Sequence, residues 1–369
     1  MLTVVILIQN LRWMVPTTFM IGAAPAYITV WTAWRALSAI LPRWVYVKGD
    51  DFLFSTYKRN VLFCFETLTG TELMFYGDPE SMKELVLGEN ALYISNHQCT
   101  VDWVMASSVA LRRGSLGRLR YVLKDGLRYL PLYGFYLGMH GSVFVKRAGR
   151  FSKEKAEKQL SRDAKDKKPM WLVIFPEGTR FNPELPNVIE ESKQFTQSQG
   201  LEPLNTVLYP RIRAVQVCVE QLRNSVESLY DVTLAYSNTF DYDKGQRRPS
   251  PTMQDFLMGH SQRVHVHIQR IPISDVPSEP EELKTWLYQR FQEKEKLLNY
   301  FYSAPSDKEA KFPGEAITKP LPLTYVLPSF LLWGGAFAVA NWFKQSRDLY
   351  WKAGSIIGCA GLIWMGIHR

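Results

Sequence analysis

The sequence predicts an α/β domain with a largely parallel central sheet flanked by helices, and membrane helices near both ends of the chain. Short apolar runs alternate with stretches of helical periodicity through the middle of the chain, as in parallel sheets whose strands are joined by helices. Residues 171–175 form a continuous apolar run, which is typical of a strand buried on both faces. Residues 13–34 and 320–343 contain no charged side chain, and each segment is long enough to span a bilayer.

The N-terminal segment, residues 13–34, is predicted to be a single spanning helix. Arg12 and Arg35 flank it, and Trp13, Trp31 and Trp34 stand where aromatic side chains meet a membrane interface. A buried core helix of the same length stays open as the alternative. More basic residues follow this segment than precede it, which favours a cytosolic central region by the positive-inside rule.

The region between the ends is predicted to contain seven strands and five helices. The predicted strands are 91–95, 120–123, 143–146, 170–175, 213–219, 231–236 and 264–268. The predicted helices are 101–111, 153–165, 187–199, 220–230 and 281–300. In sheets of this kind, sites form beyond the carboxyl ends of the strands.

The predicted domain organisation has four parts. They are an N-terminal membrane segment (1–42), the α/β domain (43–302), a linker rich in proline and charge (303–319) and a C-terminal membrane segment (320–369). The last segment is predicted to hold one firm membrane helix, followed by an apolar stretch at 353–367 that is short enough to be re-entrant or interfacial.

Charge and cysteine content narrow the function classes. The chain has 369 residues, a formal net charge of +9 and a pI near 9.2, which favours anionic partners without choosing among nucleic acid, lipid headgroups and phosphorylated small molecules. Its four cysteines form no C-x-x-C pair, so neither a zinc site nor a disulfide framework is indicated. A reduced, cytosol-facing catalytic region is the simple interpretation.

The first candidate block, residues 96–102, follows the predicted strand 91–95 and contains His97 and Asp102. Histidine titrates near neutral pH, and a carboxylate on its second ring nitrogen would set the tautomer of a general base. Five residues of regular helix would turn the two side chains about 140° apart. We therefore expect His97 in the turn and Asp102 in the first turn of a helix. This spacing also arises by chance, so an ordinary structural pair stays open.

The strongest block is Phe175-Pro-Glu177-Gly178-Thr-Arg180 at the end of the predicted buried strand. Pro176 would end the strand, and Gly178 would allow a backbone conformation closed to other residues. Arg180 is a candidate phosphate ligand, and Glu177 is expected to bind glycerol or to orient Arg180. An ordinary charged β-turn is the alternative.

Two further blocks flank this one in the chain. Residues 141–147 form a short predicted strand ending in Lys146 and Arg147, and the guanidinium of Arg147 is the better phosphate ligand. Taken alone, two cations at a strand end are more often solvated. Residues 208–211 contain Pro210, which we interpret as shaping the wall of the site.

Other chemistry-bearing residues leave alternatives open. His265 and His267 fall on one face of a predicted strand. A metal site there lacks an evident third ligand, so a solvent-facing edge strand is the favoured interpretation. Cys99 lies between His97 and Asp102, and acylation of its thiol is a minor alternative to a small buried residue.

The four blocks, in this order, resemble the glycerolipid acyltransferase family, also called the lysophosphatidic acid acyltransferase family. Residues 96–102 look like its N-H-x-x-x-x-D motif, 175–180 like its F-P-E-G-T-R motif, 141–147 like its glycine-to-arginine motif and 208–211 like its proline motif. Residues 124–134 are similar to the Lys…Pro…Gly stretch between the first two motifs. The resemblance runs over nearly the whole chain.

This resemblance implies a transfer of an acyl group from acyl-coenzyme A to the sn-2 hydroxyl of lysophosphatidic acid, without a metal or other cofactor. The implied catalytic pair is His97 and Asp102, and the implied acceptor site holds Arg147, Glu177, Gly178 and Arg180. Lys124 and the backbone N–H groups near Gly178 are candidates for binding the oxyanion of the tetrahedral intermediate.

The implied partners are acyl-coenzyme A, lysophosphatidic acid and a lipid bilayer, with no nucleic acid. The implied location is the endoplasmic reticulum membrane, with mitochondrial or nuclear envelope membranes as further options. Lys146 before Arg147, and Tyr209 and Arg211 around Pro210, depart from the motif pattern. Lysophosphatidylinositol and lysocardiolipin therefore stay open as acceptors, and a non-catalytic lipid-binding scaffold is the rival from another class.

Overall fold

The computed structural model describes residues 2–77, 88–145, 153–260 and 263–367. Its backbone contacts divide the chain into two compact units. The first unit consists of Met1–Thr69, Ser107–Ser152 and Leu321–Arg369, and the second of Gly70–Ala106 and Lys153–Pro320. Residues 107–152, which the sequence analysis assigns to the α/β region, thus group with the two chain ends.

The described residues form twelve α-helices and ten strands, numbered separately in chain order. The helices are α1 (Leu2–Gly22), α2 (Ala24–Leu37), α3 (Arg43–Leu62), α4 (Asp102–Arg112), α5 (Tyr133–His140), α6 (Lys153–Lys165), α7 (Pro186–Ser198), α8 (Ile212–Leu222), α9 (Met253–Leu257), α10 (Pro280–Tyr302), α11 (Leu323–Trp342) and α12 (Lys344–Ile367). The strands are β1 (Glu72–Gly77), β2 (Ala91–Ser95), β3 (Leu119–Lys124), β4 (Val143–Val145), β5 (Trp171–Ile174), β6 (Ser228–Tyr236), β7 (Phe240–Asp241), β8 (Gln246–Arg247), β9 (Arg263–Pro272) and β10 (Ile317–Thr318).

The N-terminal apolar segment is not one helix. Helix α1 ends at Gly22 and α2 begins at Ala24, with Pro25 in its first turn. Because proline has no N–H and its ring crowds the preceding turn, a continuous helix through this point would lose a hydrogen bond. Trp31, in the same predicted span, is 1% exposed and donates a hydrogen bond of 2.8 Å to Asp50 Oδ1. The predicted N-terminal membrane helix over 13–34 is therefore not confirmed, because among the described residues only α11 is long and apolar enough to cross a membrane.

A buried polar cluster lies in the first unit. His140 Nδ1 is 2.7 Å from Asp50 Oδ2, and Arg120 pairs with Asp51 at 2.9 Å. Asp50, Asp51 and His140 bring atoms able to bind a metal within 4.8 Å of one another. The buried guanidinium of Arg120 pairs with Asp51 and also interacts with Asp50, so we interpret the group as an ion-pair cluster.

The C-terminal segment forms two helices. Helix α11 has a mean hydropathy of 1.6 over its most apolar stretch, of which 22% is buried, and it is the one helix among the described residues that is long and apolar enough to cross a membrane. This confirms the predicted apolar helix by length and composition. Helix α12 runs for 24 residues from Lys344, so the stretch 353–367 extends a longer helix that begins in the basic connector.

The second unit is built on a mostly parallel sheet. Its strands β10, β1, β9, β6, β2 and β5 are hydrogen-bonded side by side in that order. Strand β2 pairs in parallel with β5 and β6, and β1 pairs in parallel with β9, whereas the β6–β9 and β1–β10 pairs are antiparallel. In the first unit, β3 and β4 form a parallel pair. The predicted fold class is confirmed for the sheet.

Residues 213–219 are helical in the structure and not a strand as predicted. They belong to α8, whose buried side chains include Val215, Cys218, Val219 and Leu222. This spacing of three and four residues is that of one helix face. The alternating valines in this stretch also suit a strand, so the sequence pattern allowed both a strand and a helix. The predicted helix over 220–230 is also wrong, because β6 begins at Ser228.

Strand β6 is longer than its neighbour β2 at the end where the candidate site lies. The parallel pairing runs from Ala91 opposite Ser228 to Ser95 opposite Val232. Strand β6 continues to Tyr236, so four of its residues extend past the end of β2. This overhang offers unpaired backbone groups to the loop that follows β2.

His265 and His267 do not lie on an edge strand. Strand β9 stands between β1 and β6, so both of its edges are paired, and the favoured prediction of a solvent-facing edge is wrong. His265 is 3% exposed and its Nδ1 lies 2.8 Å from the hydroxyl of Tyr76. Burial, with Arg263 nearby, lowers the pKa of His265 to about 4.

We expect His265 to make the stability of the protein depend on pH. Because its pKa falls from an ordinary 6.5 to about 4 on folding, the unfolded chain binds more protons between these values, and stability is lost as the pH falls through that window. A depression of this size corresponds to about 3 kcal/mol. In thermal unfolding from pH 7 to pH 4.5, His265→Gln should lose less Tm than wild type, with His260→Gln, at an exposed site, as the control. Equal pH dependence in all three proteins would contradict this account.

Candidate active site

The loop after β2 is held on the overhang of β6 by side chains. Asn96 Oδ1 accepts from the backbone N–H of Leu234 at 2.8 Å, and its Nδ2 donates to the carbonyl of Leu234 at 3.0 Å. Gln98 Nε2 donates to the same carbonyl at 3.0 Å. The two amides thus replace a strand partner, and they place His97 just beyond the carboxyl end of β2.

His97 and Asp102 form the predicted pair. His97 lies in the turn, Asp102 opens helix α4, and Nδ1 is 2.7 Å from Oδ2. Asp102 is fully buried, and its Oδ2 also accepts from the backbone N–H groups of Gln98 and Cys99 at 2.8 and 3.0 Å. Among the described residues, four donors reach this carboxylate, because Tyr236 also donates to Oδ1. These bonds fix the orientation of the carboxylate towards the imidazole.

The ring of His97 is partly exposed. Its side chain is 22% exposed, and the ring stacks on Phe175 with centroids 4.5 Å apart. Because Nδ1 faces an acceptor carboxylate, Nδ1 carries the proton and Nε2 keeps its lone pair. The pair therefore leaves one basic nitrogen for a substrate.

Glu177 is a buried bridge between three of the four motif blocks. Its Oε1 accepts from the N–H of His97 at 2.7 Å, and its Oε2 accepts from the N–H of Leu208 at 2.9 Å. The N–H of Phe181 donates in turn to the carbonyl of His97 at 2.7 Å. Burial raises the pKa of Glu177 to about 8, while the two N–H donors act to lower it. The observed partners of this carboxylate are backbone groups, and they fix the turn against the His97 loop.

Gly178 has a left-handed backbone conformation, with φ of +69°, as the sequence analysis expects. A Cβ at this position would meet Arg211 Cδ at 3.3 Å. The turn therefore requires glycine for its conformation and for the close approach of the Arg211 side chain.

We expect Gly178→Ala to lower activity. The left-handed conformation costs a residue with a Cβ about 1–2 kcal/mol, and Arg211 must move as well. If the strain is relieved by moving the turn, kcat should fall about tenfold. Gly200→Ala is the matched control, because Gly200 has φ of +71° with nothing within 4 Å of an added Cβ. Equal activity of the two variants would count against a special role for this turn.

The three cations predicted for the site differ in where the structure places them. Arg180 is exposed just after the turn, and its side chain makes no hydrogen bond or ion pair with the residues that the structure describes. Lys124 is the last residue of β3, in the first unit. Arg147 lies outside the described residues. Of these cations, only Arg180 belongs to the unit that carries His97.

Several residues at the site carry no signal in the sequence. Arg247 donates to Gln98 Oε1 and to the carbonyl of Thr206, both at 3.0 Å. Its guanidinium lies between the rings of Phe181 and Tyr302, 4.4 and 4.5 Å from their centroids. It therefore ties the His97 loop to two neighbouring segments. Its role depends on contacts between distant positions, which local patterns do not record.

Cys99 is not placed to be a nucleophile. It is 1% exposed, and its thiol donates to the carbonyl of Pro251 at 2.8 Å. Burial, with the charge of Asp102, raises the pKa of this thiol far above its usual range. Because the thiolate is the reactive form, we interpret Cys99 as a small buried residue.

This geometry defines a class of chemistry, and comparison with known families names it. A buried carboxylate orients a partly exposed imidazole, an arrangement able to deprotonate an alcohol. Residues 76–211 match the model of the family described as Acyltransferase, and residues 255–333 match the one described as Acyltransferase C-terminus. The protein is an acyltransferase.

Known relatives specify the family further. The chain is 39% identical to 1-acyl-sn-glycerol-3-phosphate acyltransferase epsilon of Mus musculus, over 97% of this chain and 98% of that protein. The chain belongs to the 1-acyl-sn-glycerol-3-phosphate acyltransferase family. It is also 29% identical to lysocardiolipin acyltransferase 1 of Gallus gallus, over 95% of this chain and 90% of that one. A crystal structure of the 1-acyl-sn-glycerophosphate (LPA) acyltransferase PlsC of Thermotoga maritima aligns over 77% of this chain and 97% of that one, with 16% identity and a TM-score of 0.41.

Proposed function

We propose that the protein transfers an acyl group from acyl-coenzyme A to the sn-2 hydroxyl of lysophosphatidic acid, producing phosphatidic acid. One observation carries this proposal: the Pro-Glu-Gly-Thr-Arg turn is hydrogen-bonded to both backbone groups of His97, through Glu177 and Phe181. These hydrogen bonds therefore hold His97, the proposed base, and Arg180, which follows the turn, in one local structure. The relative of 39% identity bears the name of this activity.

In the proposed reaction, His97 acts directly on the acceptor. Its Nε2 takes the proton of the sn-2 hydroxyl while the oxygen attacks the thioester carbonyl. When the tetrahedral intermediate breaks down, the C–S bond is cleaved and the departing thiolate takes the proton from the imidazolium. Asp102 stabilises that imidazolium. General-base assistance of this kind contributes about 10²–10⁴-fold.

We further propose that Arg180 binds the phosphate of the acceptor, since its guanidinium is exposed beside the His97 loop. Arg147 and Lys124 are proposed as additional contacts with acceptor phosphate or oxyanion, and Glu177 and Gly178 as the residues that shape the turn. No metal or other cofactor is proposed for the transfer. In this arrangement the acyl donor and the hydroxyl of the acceptor react beside Nε2 of His97.

Arg180→Ala is expected to weaken binding of the acceptor. A charge-assisted hydrogen bond to phosphate is worth about 1.5–3 kcal/mol, so KM for lysophosphatidic acid should rise about 10–100-fold. Activity towards monoacylglycerol, which has no phosphate, should change little. Arg248→Ala removes an arginine that is 54% exposed and pairs with Asp241, and it serves as the control. An unchanged KM in Arg180→Ala would remove this residue from the acceptor site.

We propose that the protein resides in a membrane, with the endoplasmic reticulum as its location and the catalytic unit facing the cytosol. Helix α11 supports this by length and composition. Most exposed large apolar side chains among the described residues belong to the first unit, and they include Leu37, Ile40, Trp44, Phe52, Trp342 and Ile356. Exposed apolar surface on that scale marks a membrane or partner contact.

Release of coenzyme A thiol from oleoyl-coenzyme A tests the proposed function. Purified full-length protein should release thiol with lysophosphatidic acid and yield phosphatidic acid by mass spectrometry. A panel with lysophosphatidylinositol and lysocardiolipin tests the second candidate, which the similarity to a lysocardiolipin acyltransferase favours. Preference for either acceptor would replace lysophosphatidic acid in the proposal. Inactivity with every acceptor would favour a lipid-binding scaffold.

A further inference from the structure

The overhang of β6 determines where the catalytic loop lies. Beyond the last paired residues, Ser95 and Val232, the next part of β6 faces the loop that follows β2. Asn96 and Gln98 bond to the backbone of Leu234 with their side chains, as a neighbouring strand would with its backbone. The position of the loop is therefore set by a strand that is distant in sequence.

Tyr236, the last residue of that overhang, reaches the carboxylate of the pair. It is fully buried, and its phenol donates to Asp102 Oδ1. The other oxygen, Oδ2, is occupied by His97 Nδ1 and by the N–H groups of Gln98 and Cys99. The carboxylate is thus held from two sides, by its own loop through Oδ2 and by β6 through Oδ1.

Resting on the proposed function, we propose that Tyr236 is a positioning residue for the His97–Asp102 pair. Its phenol holds Oδ1 of the Asp102 carboxylate, so that Oδ2 is turned to meet Nδ1 of His97. A hydrogen bond to the charged form favours that form, and a buried carboxylate oxygen without its donor is costly. Tyr236 itself does not touch the reacting atoms.

The direction of the electrostatic effect follows from the groups around this carboxylate. Cys99 and Glu177 are the other titratable groups near it, Tyr93 lies near the phenol, and Arg180 acts on Cys99. Burial and the charge of Asp102 raise the pKa of Tyr236, so its phenol remains a donor at working pH. Without the phenol, the carboxylate attracts the imidazolium more strongly. In the variant, His97 is therefore expected to lose its proton, and to become available as a base, only at a higher pH.

Tyr236→Phe and Tyr230→Phe are the variants to compare. Tyr230 is also buried on β6, and its phenol also donates to a carboxylate, that of Glu89, away from the pair. Tyr236→Phe is expected to lower kcat about tenfold, as for loss of a hydrogen bond to a charged group. The KM values should stay within about twofold, and the acid limb of the kcat/KM profile should move to higher pH. Tyr230→Phe should keep the wild-type kcat and acid limb even if its Tm falls.

A chemical readout separates this inference from the proposed function. Diethyl pyrocarbonate modifies neutral imidazole, and the modified His97 peptide is quantified by mass spectrometry against pH, with no substrate present. In Tyr236→Phe, the modification profile should move to higher pH relative to wild type and Tyr230→Phe. If wild type lacks acyltransferase activity but this displacement appears, the proposed function fails and the positioning role stands. An unmoved profile, or an equal effect in both variants, would overturn the role of Tyr236.

Discussion

Replacing His97 with alanine is expected to lower kcat for acyl transfer by about 10³-fold, within the range of general-base catalysis. The alternative bases near the hydroxyl are water and the buried Asp102 carboxylate, which in this variant still accepts from three donors, the N–H groups of Gln98 and Cys99 and the phenol of Tyr236. Binding of lysophosphatidic acid should change little, because Arg180 and the turn remain. Initial rates of thiol release, with kcat and KM determined for both substrates, measure this effect.

His260→Ala is the matched control for His97→Ala. His260 also lies near a carboxylate, Asp255, at 3.6 Å, but its side chain is 60% exposed. Its replacement should leave kcat within about twofold of wild type. The assignment of His97 as the base is wrong if His97→Ala keeps more than about a tenth of the wild-type kcat.

The second large effect is expected for Asp102→Asn, which should also lower kcat by about 10³-fold. An asparagine keeps the shape of the side chain, but one of its two terminal atoms becomes a donor. With the amide nitrogen in the place of Oδ2, it opposes the N–H groups of Gln98 and Cys99 and favours the wrong tautomer of His97. With the amide nitrogen in the place of Oδ1, the phenol of Tyr236 can accept from it, but the neutral amide no longer stabilises the imidazolium.

Asp275→Asn is the control for this variant, because Asp275 is exposed and accepts only a local hydrogen bond from Ser274. The double variant His97→Ala/Asp102→Asn should be about as inactive as either single variant, since residues that act as a unit are not additive. Losses that simply multiply in the double variant would show that the two side chains work independently.

Much of the second unit was predictable from the sequence because its signals are local. The buried run at β5 and the strand β2 were placed within one residue, and helix α6 with the predicted bounds. The His97–Asp102 contact was also predictable, because five positions of separation span one turn and a helix start. The left-handed conformation of Gly178 was predictable because it also depends on a local signal, a glycine in a turn after a buried strand.

Where two local patterns coincided, sequence reasoning failed. In α8, the valines alternate as in a strand, while the buried positions follow the helical period. Burial against the rest of the protein decides such cases, and it is not visible in a single window of sequence.

The sequence by itself determined the fold class and the order of the motifs, and it brought together His97 and Asp102, which we propose as the base and its carboxylate partner. Only the tertiary structure decided that Glu177 accepts from the N–H of His97, 80 residues away, and that Tyr236 reaches Asp102 across 134 residues. The physical reason is that hydrogen bonds between distant segments depend on strand register and on the overhang of one strand past another. Local periodicity carries information about each element, whereas register emerges only when the elements pack.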